Sequence, residues 1–457
     1  MSPKKKEIKE AKTWASSRIL VFSFLTIILV GTVLLMLPQA VNGNRLSFID
    51  SLFTATSATC VTGLTVVDTG TKFTHFGQMI ILILIQLGGL GIMTFSTFFV
   101  FLVFGKFSIS DRDIIQNTIT QSPIKNIAGL LKSIFLFTIL IELAGAVLLT
   151  LFFAETIPLP HALYHGLFHS ISAFCNAGFS LFDTSLVNFQ GNFKVNAVFI
   201  MLIISGGLGF VVLYELKSYM LKSKDRFKFS FHSKIVIRVS LILLLVGAGL
   251  FFLLEYKNIL QHRSLQDKFL ISLFQSVTCR TAGFNTVDIS LLTHSSLFIM
   301  IILMFIGASP GSCGGGIKTT TVGILMAMLV ARFQNKEDVN ISRRRMPNEI
   351  ISRAISVTFF SVALIIIAVT LLMIAESGGV SYPEHRGLFL ETLFEVISAF
   401  GTVGLSTGLT SGLTSLGKFI IIITMFVGRI GPLTIALAIG KKETPRFKYA
   451  QEKVLIG

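Results

Sequence analysis

The sequence predicts an all-α integral membrane protein made of four parallel repeats, each with a helix, a short re-entrant half-helix, a glycine loop and a second helix. Three observations predict this fold: the composition, the number of long apolar segments and a short pattern that recurs four times. Of the 457 residues, 52% are hydrophobic and only 14% are charged, and the mean hydropathy is +0.78. Because soluble domains contain about 25% charged residues, this composition excludes a water-soluble globular protein.

Eight apolar segments are long enough to cross a hydrocarbon layer of about 30 Å as helices. They lie at residues 19–37, 76–104, 127–153, 195–221, 234–255, 294–331, 350–375 and 416–440. Three lysines near the start precede the first segment, which is long for a secretory signal and has no small-residue cleavage site. We therefore expect it to be the first of eight transmembrane helices.

A shorter, less apolar segment lies between the two apolar segments of each pair, and these four segments resemble one another. Each contains Leu-Phe, a short helical stretch and then a glycine followed by Leu or Phe. The four glycines are Gly63, Gly178, Gly283 and Gly404. The recurrence predicts four repeats. Their expected bounds are 18–104, 127–221, 234–331 and 350–440, between an N-terminal segment 1–17 and a C-terminal segment 441–457.

The distribution of positive charge predicts the orientation. The chain carries 39 Lys and Arg against 23 Asp and Glu. Most of these cations lie in the N-terminus, in the loops between repeats and in the C-terminus. The positive-inside rule then places both ends of every repeat, and both chain termini, in the cytoplasm of a multi-pass cell-membrane protein. We expect the basic loops to bind anionic lipids or an acidic cytoplasmic partner, and no nucleic acid.

The four glycine loops predict a cation pore. Non-helical backbone at membrane depth must be buried in protein or line an aqueous cavity. Four equivalent loops from parallel repeats meet most simply around a pseudo-fourfold axis, where rings of carbonyl oxygens replace the hydration shell of a cation. Glycine suits such loops because inward carbonyls require positive φ angles, and four glycines in register argue against four unrelated turns. The predicted filter residues are Val61, Thr62, Gly63, Asn176, Ala177, Gly178, Thr281, Ala282, Gly283, Thr402, Val403 and Gly404.

An aspartate follows three of these glycines by five residues. These are Asp68, Asp183 and Asp288, whereas the fourth repeat has Leu409. The three carboxylates either form a ring at the extracellular mouth, where they concentrate cations, or cap and form turns after the loops. The sequence leaves both interpretations open.

The second apolar segment of repeat 3 predicts a gate. As a continuous helix, residues 294–331 would measure about 55 Å, which is too long for one span. Pro310 and a dense group of glycines interrupt it. We expect a loop beneath the filter that blocks the ion path, assisted by two cations at membrane depth. The predicted gate residues are Ser309, Pro310, Gly311, Gly314, Gly315, Gly316, Lys318 and Arg429.

Each part of this gate has a structural alternative. The alternatives are that the break in the helix is a static kink, that Arg429 belongs to a structural ion pair, and that Lys318 extends to the cytoplasmic interface. A third buried cation, Arg280, is expected to support its loop from behind, with Glu142 or Glu395 as candidate partners.

Several other residues carry no predicted chemistry. The four cysteines lack the spacing of a zinc site. The histidines, His165 and His169 among them, have no other metal-ligand residues near them in the sequence pattern. Two Gly-Gly-Leu-Gly motifs, at 88–91 and 206–209, lack the third glycine of a dinucleotide site and suit close helix packing. We therefore expect no metal cofactor and no nucleotide bound by this chain.

The four loops resemble those of the Trk/Ktr/HKT superfamily of potassium transporters. The matching motifs are Val-Thr-Gly63, Asn-Ala-Gly178-Phe, Arg280-Thr-Ala-Gly283-Phe and Thr-Val-Gly404-Leu, and Gly314-Gly-Gly-Ile-Lys318 is similar to that family's broken helix. The resemblance covers nearly the whole chain. A first repeat helix that begins near Arg18 is more similar to the Ktr branch than to Trk subunits, which have two additional N-terminal helices.

The resemblance implies a specific transport system. Its substrate is K⁺, bound by the backbone carbonyls of the filter residues, and Na⁺ acts as an activator or co-ion. The chain forms a homodimer in the membrane and binds a cytoplasmic ring of RCK-type nucleotide-binding subunits (KtrA-like). Gly63 favours K⁺, because Na⁺-selective plant relatives often carry serine at that place. With one glycine in each loop, we expect weaker discrimination among alkali ions than in potassium channels.

Two other function classes are less consistent with the sequence. A Na⁺- or H⁺-coupled symporter with alternating access usually has inverted repeats, whereas these repeats are parallel. An enzyme would need a carboxylate pair, a histidine cluster or a nucleophile at a consistent depth, and the sequence offers none. We therefore predict that the protein is not an enzyme.

Overall fold

The computed structural model describes residues 3–91, 127–221, 229–378, 387–432 and 434. Within them the fold is almost entirely helical. The helices are α1 Pro3–Leu35, α2 Phe48–Thr59, α3 Thr69–Lys72, α4 His75–Leu90, α5 Ile127–Phe153, α6 Leu159–Phe174, α7 Phe193–Gly207, α8 Phe210–Leu221, α9 Phe231–Glu255, α10 Leu265–Thr278, α11 His294–Phe305, α12 Thr319–Phe333, α13 Asn348–Ser377, α14 Leu388–Gly401, α15 Leu409–Gly412 and α16 Ser415–Ile430.

The remaining regular elements of the described residues are short. Three 3₁₀ helices lie at Pro38–Ala40, Val187–Phe189 and Ile289–Leu291. Strands β1 (Asn340–Ile341) and β2 (Arg344–Arg345) pair antiparallel in a hairpin between α12 and α13. They contribute little to the fold, which depends on helix packing.

One order of elements recurs four times in the described residues. A long first helix (α1, α5, α9 and α13) is followed by a half-helix (α2, α6, α10 and α14), then by a loop and a second helix (α4, α7, α11 and α16). The first helices contain the four segments with the length and composition to cross a membrane. These segments are Arg18–Leu35, Lys132–Phe153, Phe231–Glu255 and Asn348–Ser377.

The second helices are shorter than the sequence predicts, because they end at glycines. A continuous helix over 195–221 is wrong: Phe193–Gly207 and Phe210–Tyr219 meet at an angle of 107°. Gly209 follows the break at a φ of 92°, and Gly91 and Gly431 follow α4 and α16 at 80° and 90°. Since only glycine adopts such angles at little cost, the glycines end these helices. The predicted extensions at 92–104 and 435–440 lie outside the described residues.

Polar caps define the other end of the second helices. The side chains of Thr74, Asn192, Thr293 and Thr414 each accept a hydrogen bond from a backbone N–H three residues later. Carboxylates at the ends of two first helices reinforce these caps. Glu255 accepts from the Thr293 N–H at 3.0 Å, and Glu376 accepts from the Thr414 N–H at 3.0 Å. These bonds tie the first and second helices of repeats 3 and 4 together.

An ion pair joins the last repeat to the first. Lys418 Nζ on α16 lies 2.7 Å from Asp50 Oδ1 on α2, with both side chains largely buried. The first and last repeats are therefore in contact with each other.

Glycines let each of three second helices contact the end of the half-helix in its own repeat. A Cβ atom on Gly88, Gly206 or Gly428 would overlap the carbonyl oxygen of Thr59, Phe174 or Phe400, respectively. The Gly-Gly-Leu-Gly motifs thus serve close packing through their first glycine and a helix break through their last. The sequence predicted the packing and missed the break.

Gly206→Ala tests this close packing. The added methyl meets backbone rather than a flexible side chain, so we expect a loss of about 1–3 kcal/mol of stability or more and a lower melting temperature of the purified protein. Gly249→Ala is the matched control, because nothing lies within 4 Å of that Cβ and alanine is the better helix former. Equal melting temperatures for the two variants would contradict the packing account.

Candidate ion pore

The four loops that follow the half-helices share one backbone conformation. The residue two places before each glycine has a positive φ, which is uncommon for a residue with a side chain. These residues are Val61, Asn176, Thr281 and Thr402, at 57°, 58°, 69° and 49°. The glycines themselves are also positive: Gly63, Gly178, Gly283 and Gly404, at 94°, 70°, 78° and 90°. The repeated pattern predicted from sequence is therefore also a repeated pattern of backbone angles.

The N–H groups of these loops point back to the half-helices. In all four loops the residue before the glycine donates to a half-helix carbonyl: Thr62 to Ser57, Ala177 to Ser172, Ala282 to Thr278 and Val403 to Ser398, at 2.7 to 3.0 Å. The N–H groups of Gly63 and Gly404 donate to the Ser57 and Ser398 hydroxyls at 3.1 Å.

The carbonyl oxygens of the loops have no hydrogen-bond donor among the described residues. This holds for the carbonyls of 61–63, 176–178, 281–283 and 402–404. In a trans peptide the C=O points opposite to the N–H, so the carbonyls before these N–H groups face away from the half-helices. Unpaired backbone carbonyls are the kind of ligand that a dehydrated cation needs.

The four glycines form a closed ring, which we call the glycine ring. A Cβ on Gly63 would lie 3.0 Å from the Gly178 Cα, and a Cβ on Gly178 would lie 2.9 Å from the Gly283 Cα. The ring continues from Gly283 to the Gly404 Cα at 3.3 Å and from Gly404 back to the Gly63 Cα at 2.9 Å. The structure thus brings together the residues that the sequence predicted as a filter, in chain order around one point.

Polar side chains behind the glycine ring hold the segments that follow it. His169 Nε2 lies 3.0 Å from the Ser180 hydroxyl, and Gln275 donates to the Thr286 hydroxyl at 3.2 Å. Both side chains come from the middle of a half-helix and are completely buried.

Glu395 occupies the matching place in repeat 4 and makes the largest number of these bonds. It is completely buried. Its carboxylate accepts from the Ser406 hydroxyl at 2.6 Å and from the Thr407 N–H at 2.9 Å, and also from the Thr410 hydroxyl. Sequence reasoning missed this role, although a polar residue at one register of three half-helices was a usable signal.

The glycine ring opens on one side to a cavity of about 360 Å³. Residues that follow the glycines line it, together with Asp68, Asp183 and Asp288. Two of these aspartates are also caps: Asp68 accepts from the Thr71 N–H at 2.7 Å and Asp288 from the Ser290 N–H at 3.0 Å. The two interpretations that the sequence left open are therefore compatible.

The loop between α11 and α12, residues 306–318, contacts the opposite side of the ring. The Gly315 N–H donates to the Thr402 hydroxyl at 2.9 Å, and a Cβ on Gly314 would overlap the Thr281 hydroxyl. The loop is also bound to repeat 2, where the Ser309 and Cys313 N–H groups donate to the carbonyls of Gly207 and Gly206. It therefore lies directly against the residues that precede the ring glycines.

Two cations hold this loop. The Arg429 guanidinium on α16 donates to the Cys313 carbonyl in the loop and to the Gly88 carbonyl on α4, and so links three repeats. Lys318 Nζ donates to the Gly314 carbonyl at 2.7 Å and to the Gly315 carbonyl at 3.3 Å. Lys318 thus folds back on the loop instead of extending to an interface, and no described carboxylate pairs with Arg429.

The candidate partners of Arg280 are wrong. Glu142 on α5 points to α4, where Gln86 donates to both of its carboxylate oxygens at 3.2 Å. Glu395 points to the segment beyond its own glycine, as described above. Arg280 is only 9% exposed, and its Nε has no partner among the described residues.

The cysteines and His169 lie in the packed interior. All four cysteines are free and buried. His169 is bound to the His165 carbonyl through Nδ1 and to Ser180 through Nε2. In the part of the chain that the structure describes, no group of three or more His, Cys, Asp or Glu side chains is placed to hold a metal ion.

Comparison with known families now decides the class of protein. The family model described as TrkH, cation transport protein, matches residues 2–449. The chain belongs to the TrkH family. The resemblance to the Trk/Ktr/HKT superfamily that the loops indicated is therefore confirmed, and the protein is a multi-pass membrane protein of a cation transport family.

Relatives within the TrkH family match along almost the whole chain. Ktr system potassium uptake protein B from Bacillus subtilis is 40% identical over 443 residues, which cover 96% of each chain. The protein of the same name from Vibrio alginolyticus is 39% identical over 444 residues, or 96% of this chain and 94% of the relative. Potassium/sodium uptake protein NtpJ from Enterococcus hirae is 35% identical over 462 aligned residues, or 100% of both.

A solved member of the TrkH family has the same fold. The crystal structure of the potassium transporter TrkH from Vibrio parahaemolyticus matches with a TM-score of 0.70 and 20% sequence identity. The match covers 91% of this chain and 84% of that chain. At this identity the likeness establishes the fold and nothing further.

Glu395→Gln tests the role of the buried carboxylate. The amide nitrogen of Gln cannot accept a hydrogen bond, so at least one buried donor loses its acceptor. We expect the free energy of unfolding to fall by about 1–3 kcal/mol, measured by thermal or denaturant unfolding of the purified protein. Glu391→Gln, an exposed carboxylate on the same half-helix, is the control and should change stability by less than about 0.5 kcal/mol. A Glu395 variant as stable as this control would refute the role.

Proposed function

We propose that this protein is the potassium-translocating subunit of a K⁺ uptake system. The observation that carries the proposal is the closed ring of four glycine loops. In each loop the N–H before the glycine is bound to the half-helix, while the loop carbonyls have no donor among the described residues. K⁺ as the cargo is supported by the names of the relatives, in which potassium recurs.

Selection would occur at the twelve filter residues, 61–63, 176–178, 281–283 and 402–404. Their backbone carbonyls would replace part of the water around K⁺. The half-helices direct their partly negative C-terminal ends toward this point, which favours a cation over an anion. On the cavity side, Asp68, Asp183 and Asp288 would raise the local cation concentration by their field.

Residues 309–316, with Lys318 and Arg429, would form the gate. The loop lies against the filter residues Thr281 and Thr402, and Arg429 binds it to repeat 1. An ion leaving the filter on this side would meet the loop and two positive charges. Hydrogen bonds link the loop to repeats 1, 2 and 4, and breaking them would let the loop move aside.

Other parts of the system follow from the relatives and the charges. We infer that Na⁺ acts as an activator or co-ion, as the name of the Enterococcus relative suggests. We also infer a homodimer and a cytoplasmic RCK-type ring as regulator, since the relatives are components of a system. Both termini and the exposed arginines of the β1–β2 hairpin would then face the cytoplasm, where anionic lipids are available.

Isotopic flux in vesicles tests the function. Purified protein in lipid vesicles should carry labelled Rb⁺ down its gradient, with competition by K⁺ and a rate that responds to Na⁺. Absence of flux in every ionic condition would reject the proposal. A fixed Na⁺:K⁺ stoichiometry with uphill movement of either ion would instead favour a coupled symporter.

Gly63→Val tests the filter. Its φ of 94° is strained for a β-branched residue, and its Cβ would lie 2.5 Å from the Ala177 carbonyl oxygen. We expect flux to be abolished, or the preference for K⁺ over Na⁺ to be lost, in the vesicle assay. Gly43→Val is the control, because Gly43 has a φ of 74° and open space around it. An unchanged ion preference in Gly63→Val would contradict the filter assignment.

Deletion of residues 311–315 tests the gate. We expect the basal flux to rise, because the loop can no longer lie against the filter. Arg429→Ala should change the flux in the same direction, since it removes the hydrogen bonds to Cys313 and Gly88. Arg345→Ala, which removes an exposed side chain paired with Asp338, should leave the flux unchanged. Unaltered flux in both the deletion and the Arg429 variant would show that the loop is a static kink and not a gate.

A further inference from the structure

The loop of residues 306–318, which we call the gate loop, forms a hydrogen bond with one side chain that lies beside the glycine ring. Thr402 is completely buried, and its hydroxyl accepts the Gly315 N–H at 2.9 Å. A Cβ on Gly315 would lie 2.6 Å from that hydroxyl and 2.8 Å from the Thr402 methyl group. The loop backbone therefore lies directly on the Thr402 side chain, with no room for a water between them.

The other residues at this level of the ring do not bind the loop in this way. Val61 has no polar side-chain atom. The side chains of Asn176 and Thr281 lie 3.4 Å apart, within hydrogen-bond reach of each other. Thr402 is thus the one residue of this level, among the described residues, whose side chain forms a hydrogen bond with the loop.

The backbone of Thr402 is held by the half-helix of repeat 4. Its N–H donates to the Ala399 carbonyl at 3.1 Å, and the Val403 N–H donates to the Ser398 carbonyl at 2.8 Å. With a φ of 49°, the residue presents its carbonyl as part of the filter and its side chain to the loop. One residue therefore has a part in both functional elements.

We propose that Thr402 is a positioning residue that latches the closed gate loop to the filter of repeat 4. The inference rests on the proposed function and adds a direct mechanical link between filter and gate. Opening the loop breaks the hydrogen bond from the Gly315 N–H to the Thr402 hydroxyl. Closing the loop pairs both groups again. The bound state of the Thr402 side chain therefore reports whether the gate is open.

Thr402→Val removes the hydroxyl and keeps the shape. The chain itself provides the precedent for valine in this conformation, because Val61 occupies the matching place of repeat 1 at a φ of 57°. A buried N–H that loses its acceptor is strongly destabilised, so we expect the basal Rb⁺ flux in vesicles to rise about tenfold. Thr402→Ser retains the hydroxyl and should return the flux to within about twofold of the unsubstituted protein.

A double-variant comparison separates a latch from a general defect of the filter. In protein that lacks residues 311–315, Gly315 is absent, so Thr402→Val should add nothing to the raised flux. Thr281→Val, which removes a hydroxyl from the same level without touching the loop's hydrogen bond, should raise the basal flux less than Thr402→Val. A rise that persists in the deletion background, or equal effects of the two valine variants, would overturn the latch.

The outcomes distinguish the latch from the proposed function. If the deletion raises flux and Thr402→Val does not, the latch is wrong and the transport function stands. If neither the unsubstituted protein nor the deletion carries Rb⁺, both fail. Should Thr402→Val not fold, Thr402→Ala removes the same hydroxyl. Faster amide exchange of the 309–316 peptide in that variant supports the latch, and unchanged exchange contradicts it.

Discussion

The fold depends on one constraint: every non-helical peptide at membrane depth must place its N–H and C=O groups where they are satisfied. In all four loops the solution is the same. The N–H groups before the glycines return to the half-helix of their own repeat, whereas the carbonyls turn away from it. Positive φ angles at each glycine and at the residue two places before it allow this arrangement. The consequence is that the four glycine loops meet in one ring and that, among the described residues, nothing donates a hydrogen bond to their carbonyls.

The backbone is repeated four times, but the side chains around it are not. Position for position, the second helices carry Gly89 in repeat 1 and Arg429 in repeat 4. Within the described residues, a long loop such as 306–318 occurs in repeat 3 alone. Behind the ring, a histidine, a glutamine and a glutamate perform one bracing task with different chemistry. The repeated backbone geometry therefore suits a site for a small spherical ion. The side-chain differences let each repeat make different contacts with the 306–318 loop.

Much of the site was predictable because it is encoded locally. The ring glycines, the broken helix of repeat 3 and the position of Arg429 near that loop follow from patterns of a few adjacent residues. The hydrogen-bond partners of buried charged side chains were harder to predict from the sequence. Glu142 was a candidate partner of Arg280 but binds Gln86. Such a pair joins residues far apart in sequence, so no local pattern specifies it.

By itself, the sequence determined that this is a membrane protein with four related units, because hydrophobicity, charge asymmetry and duplication are properties of composition and order. It also determined where glycine permits the backbone angles that the loops need. The tertiary structure alone decided that the four loops close into one ring in chain order, that the apolar segment of repeat 2 bends sharply near Gly209, and that the 306–318 loop lies against Thr281 and Thr402. Each of these depends on how separate helices pack, and packing geometry is a property of the whole chain rather than of any segment.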